Sequence, residues 1–511
     1  MNLFWNAWKN RKERVQSAFL DAHTNKSMEN VPDIVLSADL NENIALIEQQ
    51  LKCDDLVARR FVVKSGAEGI IFFIDGMIDR NIVSDSIIRH MTSLNSTYDL
   101  PTTNELESTT SLRQVIRNIL SGSAVLLLDG HREAFLNNAR GWERRKVEEP
   151  LTESVVRGPR DGFCETLCVN SALIRIRLKD PKLRLRHLVV GQRSQTDVYV
   201  MYIEGVIDPR IVEDVLNRID SINADAVLES GFLEHMIEDS TWSPFPQMQN
   251  TERPDKVVAN LLEGKVAILV DGTPFVLVVP TVFSQFYQSP EDYYERFYIA
   301  SLVRFIRFVS LNLSMLLPSL YISFSSFHPE MIPSRLVMAM TAGRSTVPFP
   351  SLVEAFIMET AMEILREASA RLPRPIGPTI GIVGALVIGT SAVKAGLVSP
   401  VMVIIVALTT IASFTSPSYS AAIATRVLRF PLMIMAGIFG LYGIMLFLLL
   451  VTVHLASLKS FGVTYFSPLS PLNLRGLKDF ILRVPLQLMK TRPAMFHPVD
   501  KIRIKKGDQQ R

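Results

Sequence analysis

Cysteine is scarce: Cys53, Cys164 and Cys168 are the whole supply in 511 residues. Three thiols cannot build a disulfide framework, and they point to a reducing compartment. Cys164 and Cys168 stand one helical turn apart, half of a metal site at best. No second Cys/His pair lies nearby, so no metal is expected. An excess of one charge is also missing. Lys and Arg number 54 against 51 Asp and Glu, and a net charge of +3 is too close to balance to argue for nucleic acid. No phosphate-binding glycine loop, nucleophile elbow or metal-spaced His/Glu pattern is present, so neither an enzyme nor a bound cofactor is expected. His454 stands alone in an apolar run and reads as a packing residue rather than a ligand. The opening MNLFWNAWKNRKERVQ has no apolar h-region, which predicts no signal peptide and a cytoplasmic N-terminal region.

What the chain does have is long apolar runs, all in one half. Residues 1–290 read as an ordinary charged globular region, whereas 297–457 carry a membrane signal. Pro431–Leu450, PLMIMAGIFGLYGIMLFLLL, meets the length of about 20 residues needed to cross a hydrocarbon core of about 30 Å. Four segments pass that test. Tyr298–Phe324 is interrupted by Arg304 and Arg307 and broken at Pro318. Thr379–Leu397 is rich in glycine (Gly381, Gly384, Gly389), which allows close helix approach. Val401–Ala424 and Leu432–Ser457 complete the set. Four crossings return the chain to its starting side, in agreement with a basic tail in which residues 475–511 hold ten Lys/Arg against three Asp. Arg426 and Arg429 then fall outside, against the positive-inside trend. A further or re-entrant segment between Ile332 and Pro350 would raise the count, so 291–467 is expected to be a membrane domain of four to six helices.

The N-terminal half repeats itself. FFIDGMIDRNIVSDSIIRHM (Phe72–Met91) matches MYIEGVIDPRIVEDVLNRI (Met201–Ile219), each a strand, an acidic-Gly turn and an amphipathic helix capped near Asp79 or Asp208. RQVIRNILSGSAVLLLDG (Arg113–Gly130) matches DKVVANLLEGKVAILVDG (Asp255–Gly272), each a helix closed by Gly122 or Gly264, a buried strand and an Asp-Gly turn. The paired carboxylates are read as turn residues, not catalytic ones. The fold expected is a two-lobed, duplicated α/β region followed by an α-helical polytopic membrane domain. A helical N-terminal extension would occupy 1–58, the lobes 59–150 and 185–290, a linker helix 151–184 and a basic cytoplasmic tail 468–511. Arg175, Arg177 and Lys179 on the linker helix would either touch anionic lipid or a partner, or form a solvated face.

Two features exceed a simple anchor. In SLVEAFIMETAMEILREASA (Ser351–Ala370), Glu359, Glu363 and Glu367 recur every four residues on one face, while Phe356, Ile357, Ile364 and Leu365 cover another. Carboxylates beside a membrane are costly unless they meet water, a cation or a base, and Arg366 and Arg371 would neutralise part of the stripe. The stripe reads either as a cation-attracting vestibule or as an interfacial helix with a wet face. TTIASFTSPSY (Thr409–Tyr419) sets hydroxyls inside an apolar span and breaks it at Pro417, which suits either a cavity lining or a kinked packing helix. The candidate pore or gate residues are Glu354, Glu359, Glu363, Thr390, Ser391, Thr409, Thr410, Ser413 and Pro417.

Extended stretches of the helical half read REASARLPRPIGPTIGIVGALVIG (Arg366–Gly389), AGLVSPVMVIIVALTTIASFTSPSY (Ala395–Tyr419) and RFPLMIMAGIFGLYGI (Arg429–Ile444). In the soluble half stand GPRDGF (Gly158–Phe163), NSALIRIRLKDPKL (Asn170–Leu183) and PQMQNTERPDKVVANLLEGKVAILVDGTP (Pro246–Pro274). Together these stretches resemble the GerA family, the A subunits of bacterial spore germinant receptors. The resemblance implies a multi-pass protein of the spore inner membrane with cytoplasmic N- and C-terminal regions. It implies a nutrient-gated channel for monovalent cations, set among membrane lipid and assembled as a homo-oligomer, a pentamer. It also implies a transporter-like B subunit, thought to bind the nutrient, and a lipoprotein C subunit as partners. A related branch acts with the spore dipicolinate-release channel instead. Thr390-Ser391, Ser416 and Thr464 depart from the family pattern, so ion preference and gating do not carry over. The competing expectation is a non-conducting scaffold or ligand-binding subunit whose lobes hold a ligand between them.

Overall fold

The computed structural model describes residues 31–63, 66–78, 106–137, 148–371, 387, 389–474 and 476–504. The expected cap at Asp79, residues 1–30 and nearly half of the segment Thr379–Leu397 lie outside them.

The first lobe begins with helix α1 (Leu40–Gln50), where the Asp39 side chain accepts from the Asn41 amide. Leu40, Ile44 and Ile47 fall on one helical face and bury in a shared core. Strands β1 (Leu56–Val62), β2 (Glu68–Ile74) and β3 (Leu106–Thr109), helix α2 (Leu112–Leu120), then β4 (Ala124–Leu128) and β5 (Ala134–Asn137) follow. The sheet is antiparallel in the order β1-β2-β4-β5-β3. Helix α1 and the start of β1 at Leu56, both inside the expected extension 1–58, pack into this core and belong to the lobe.

Helix α3 (Leu167–Arg177) joins the lobes and is shorter than the linker helix expected over 151–184. Arg175 on it faces neither lipid nor solvent. It is 1% exposed and pairs with Asp55, its Nη2 donating to Oδ1 at 2.6 Å. The second lobe carries β6 (Leu183–Val190), β7 (Thr196–Ile203), α4 (Pro209–Asp220), α5 (Ser230–Ile237), β8 (Gln249–Thr251), α6 (Pro254–Leu262), β9 (Val266–Val270) and β10 (Val276–Val279). Its antiparallel order, β6-β7-β9-β10-β8, repeats that of the first lobe strand for strand. The matched Asp-Gly turns put Gly130 and Gly272 at φ +80° and +82°, a left-handed conformation that glycine adopts without a Cβ clash. Asp208 caps α4, as its place in the repeat predicts.

The helical half holds α7 (Phe297–Ser326), α8 (Ser334–Arg344), α9 (Ser351–Arg371), α10 (Pro400–Ser413) and α11 (Tyr419–Ser457). Among the described residues, α7 and α11 are the two helices long and apolar enough to cross a membrane. Three expectations change here. Helix α7 runs through Pro318 unbroken. Helix α10 ends at Ser413, so Pro417 lies in the connection to α11 and kinks no helix. Helix α11 starts at Tyr419 instead of Leu432 and carries Arg426, Arg429 and Pro431 inside it. Its interruption falls at Gly440, where φ is +61° and ψ is −140°.

The chain then returns to the second lobe. A hairpin, β11 (Lys459–Ser460) with β12 (Val463–Thr464), sends Phe461 and Val463 into that lobe's core. Phe496 is fully buried in the same core, and the Val499 amide donates to the Val206 carbonyl at 2.8 Å. The basic tail is docked over much of its length.

Candidate functional site

The polar residues of the helical half converge where α9 meets α8, α10 and α11. Helix α9 is turned inside out relative to a soluble amphipathic helix. Glu354 and Glu359 are 0% and 2% exposed, while Ile357 and Ile364 are 43% and 66% exposed. An apolar outer face with acids inside suits lipid or a second protein surface rather than water. The wet acidic face expected of this helix is therefore absent at Glu354 and Glu359, and Glu363 is only partly exposed.

Each acid is met by an arginine. Glu354 Oε1 accepts from both the amide and the hydroxyl of Ser399 at 2.5 Å, and its Oε2 lies 3.7 Å from Arg344 Nε. Tyr321 on α7 shares the Ser399 hydroxyl at 3.1 Å. Glu359 pairs with Arg429 in a buried contact. Glu363 takes Arg426 Nη1 at 2.6 Å and Arg366 Nη1 at 3.3 Å. Arg366 Nη2 also donates to Ser413 Oγ at 3.1 Å. The spacing accounts for the match, because Glu359 and Glu363 are one turn apart on α9 and Arg429 and Arg426 one turn apart on α11.

The other candidates divide. Thr409 is buried and donates back to the Ile405 carbonyl at 2.7 Å, the usual fate of a threonine in an apolar helix. The Thr410 hydroxyl is buried with no partner. Thr390 and Ser391 are exposed and take no part in the seam. Arg344, Arg426, Arg429, Ser399 and Tyr321 are not among the candidate pore or gate residues, and in the sequence Arg426 and Arg429 read only as charges outside the membrane. The signal that could have found the first three was a pair of arginines at i, i+3 and a lone Arg344 in apolar surroundings that would otherwise exclude them.

A second polar network ties the helical half to the second lobe and the tail. Arg304 and Arg307 on α7 both pair with Asp292, and Arg304 reaches Asp479 at 2.7 Å. That pairing explains why two charges interrupt the first apolar segment. His454, near the end of α11, shares a hydrogen bond with Ser243 of the second lobe at 3.0 Å. Beside this junction a cavity of about 530 Å³ opens among Arg210, Glu263, Gln285, Lys478 and Arg503. Behind it, Lys265 donates to Asn260 and Gln285 at 2.7 Å and stacks over Phe496. Burial pushes its ammonium down to about 7 against the pull of Glu263. Among the described residues no group of three His, Cys, Asp or Glu could hold a metal ion.

The profile of the Bacillus/Clostridium GerA spore germination protein family matches residues 44–495. Uncharacterized membrane protein YfkQ of Bacillus subtilis (strain 168) is 44% identical over 481 residues, 92% of this chain and 94% of that one. Spore germination protein KA of the same organism is 42% identical over 485 residues, 92% and 89% of the two chains. Spore germination protein GerLA of Bacillus cereus is 46% identical over 396 residues, 78% and 80%. Among solved structures, the N-terminal domain of the A subunit of the Bacillus megaterium spore germinant receptor GerK3 is 30% identical. It covers 49% of this chain and 98% of its own, with a TM-score of 0.39.

Proposed function

The chain belongs to the Bacillus/Clostridium GerA spore germination protein family, and from that membership we propose that it is the membrane-bound A subunit of a germinant receptor, passing a nutrient signal into ion release as an oligomeric cation channel. In this reading it is a multi-pass protein of the spore inner membrane, a pentamer, with its lobes and tail on the cytoplasmic side and B and C subunits as partners. The observation that carries the reading is the seam of buried Glu354 and Glu359 and partly exposed Glu363 against Arg344, Arg426 and Arg429 inside an apolar helical half. Ion pairs at such depth are expensive to keep, and removing one partner of a buried pair typically costs about 3–5 kcal/mol. A protein that needs only an anchor has no use for them. The pairs act as latches: they hold α8, α9 and α11 together when closed, and a shift of α9 against α11 exposes the carboxylates to a passing cation.

The test is ion flux from the purified chain in liposomes, alone and with its B and C partners. Glu359→Gln and Glu363→Gln should raise basal flux, because each weakens a latch. Unchanged flux at normal protein level in both variants removes the seam from gating.

A second reading has its own observation. A cavity of about 430 Å³ lies between the lobes, lined by Lys52, Cys53, Asp54, Arg184, Arg186 and Glu204. Under that reading the chain is a non-conducting ligand-binding or scaffold subunit, or serves the dipicolinate-release channel, and a small ligand stabilises the intact chain without any flux.

A further inference from the structure

The charges of the seam do not balance. Arg344 answers Glu354, which leaves Glu359 and Glu363 to face Arg366, Arg426 and Arg429. Three guanidinium groups against two carboxylates leave one positive charge in excess. Arg366 is close enough to be repelled by both Arg426 and Arg429, and it also feels Glu359. The three arginine side chains are 17%, 9% and 3% exposed, while Glu363, which pairs with the first two, is 41% exposed, so it is Arg429 that water reaches least.

The rest of the chain offers no further carboxylate nearby in sequence. From residue 368 to 478 there is no Asp or Glu at all, and this stretch includes 372–386, which lies outside the described residues. Glu367 is taken by Arg371 and Glu330 by His328. Aromatic rings supply part of the deficit, Phe414 under Arg366 at 5.0 Å and Tyr419 near Arg426 at 5.9 Å. A cation–π contact is a weak attraction beside the cost of burying an uncompensated charge, so the rings do not close the gap.

The hydrogen bonds point the same way. Arg429 meets Glu359 through Nη1 alone, leaving its buried Nε and Nη2 without a partner. Arg366 Nε is buried and unpartnered too, as is the Thr410 hydroxyl, one turn from the Ser413 that Arg366 touches. Three orphaned N–H donors on two arginines, a free hydroxyl and one excess positive charge form a receptor for an anion. Two acceptors of the seam are also without a hydrogen bond: Glu354 Oε2, 3.7 Å from Arg344 Nε, and Glu359 Oε1, which calls for a water.

We propose that the space between α9, α10 and α11 is a binding site for a small monovalent anion of the chloride class, held by Arg366, Arg429 and the Thr410 hydroxyl. The anion neutralises the third arginine and locks the three helices together. The site is independent of conduction, since its readout is stability, and a silent flux assay leaves it standing.

The experiment uses the full chain in detergent, with Tm followed in sodium chloride, bromide and gluconate at equal ionic strength. Tm should rise saturably with chloride or bromide and remain lower in gluconate, which is too large to enter. Arg366→Gln removes the excess charge, so its Tm should no longer distinguish the salts. Anomalous scattering from bromide-grown crystals should place the ion within hydrogen-bond distance of Arg366 and Arg429. Equal Tm in chloride and gluconate for the folded wild-type chain overturns the site. So does a halide dependence that survives in Arg366→Gln, or density showing only water or a carboxylate from a second copy. If Arg366→Gln does not fold, the wild-type titration and the bromide position decide by themselves.

Discussion

Lys265 is fully buried, yet its ammonium has only neutral acceptors in Asn260 and Gln285 and the ring of Phe496. Burial lowers its pKa from 10.5 to about 7 in the folded chain. Above about 7 the folded chain has released this proton, while the unfolded chain keeps it up to 10.5. Across that window the unfolded state binds more protons, so stability rises with pH, by up to about 1.4 kcal/mol per pH unit. Urea unfolding at about pH 7.5 and about pH 9.5 should show that rise, and Lys265→Met should flatten it. The same slope in both proteins would mean that Lys265 is charged when folded. Single residues also show what sequence reading can miss. Arg175 looks like a surface charge on a linker helix, but its salt bridge to Asp55 links positions 120 apart in the chain. No local pattern announces such a partner.

Helices α9 and α11 show how element-level signals invert in an apolar setting. The fourfold recurrence of Glu359, Glu363 and Glu367 does place them on one face, as the helical period requires. Which way that face points was decided by Arg426 and Arg429, which give the acids partners inside the bundle. The same pairing lets α11 begin at Tyr419, because charges that are answered need not end a buried helix. Its interruption sits at Gly440, whose left-handed φ brings the backbone against Phe327, with an added Cβ only 3.1 Å from that side chain. Gly440→Ala should cost at least about 1–2 kcal/mol from the left-handed conformation alone. A Tm for the purified chain equal to wild type would show that α11 runs straight through this point.

At the scale of the whole molecule, the second lobe, the two long apolar helices and the tail are linked at one junction. Asp292, Arg304, Asp479 and Arg483 bind the start of α7 to the tail, and Phe496 inserts the tail into the second lobe. The second lobe is thus joined to the start of α7 through Asp292 and the tail, and to the end of α11 through the hairpin that follows it. Phe496→Ala should cost about 3–5 kcal/mol by leaving a core cavity. Limited proteolysis should then cut within 484–504 at a rate far above wild type. Unchanged protection would mean that the tail is held by its backbone bonds near Arg492 and Val499 alone.

The amino-acid sequence by itself determined the duplicated lobes, their left-handed Asp-Gly turns and the apolar, helical character of the second half. These are local properties: period, turn chemistry and hydrophobic run length act over a few residues. It also placed Glu354, Glu359, Glu363, Thr409, Thr410 and Ser413 in the right helices. Only the tertiary structure decided that the acids are neutralised by Arg344, Arg426 and Arg429, that Thr390 and Ser391 stand apart, and that the basic tail is docked. Those outcomes depend on charges and side chains brought together from far along the chain. Burial makes an unanswered charge costly, and that cost has no signature until the partners meet.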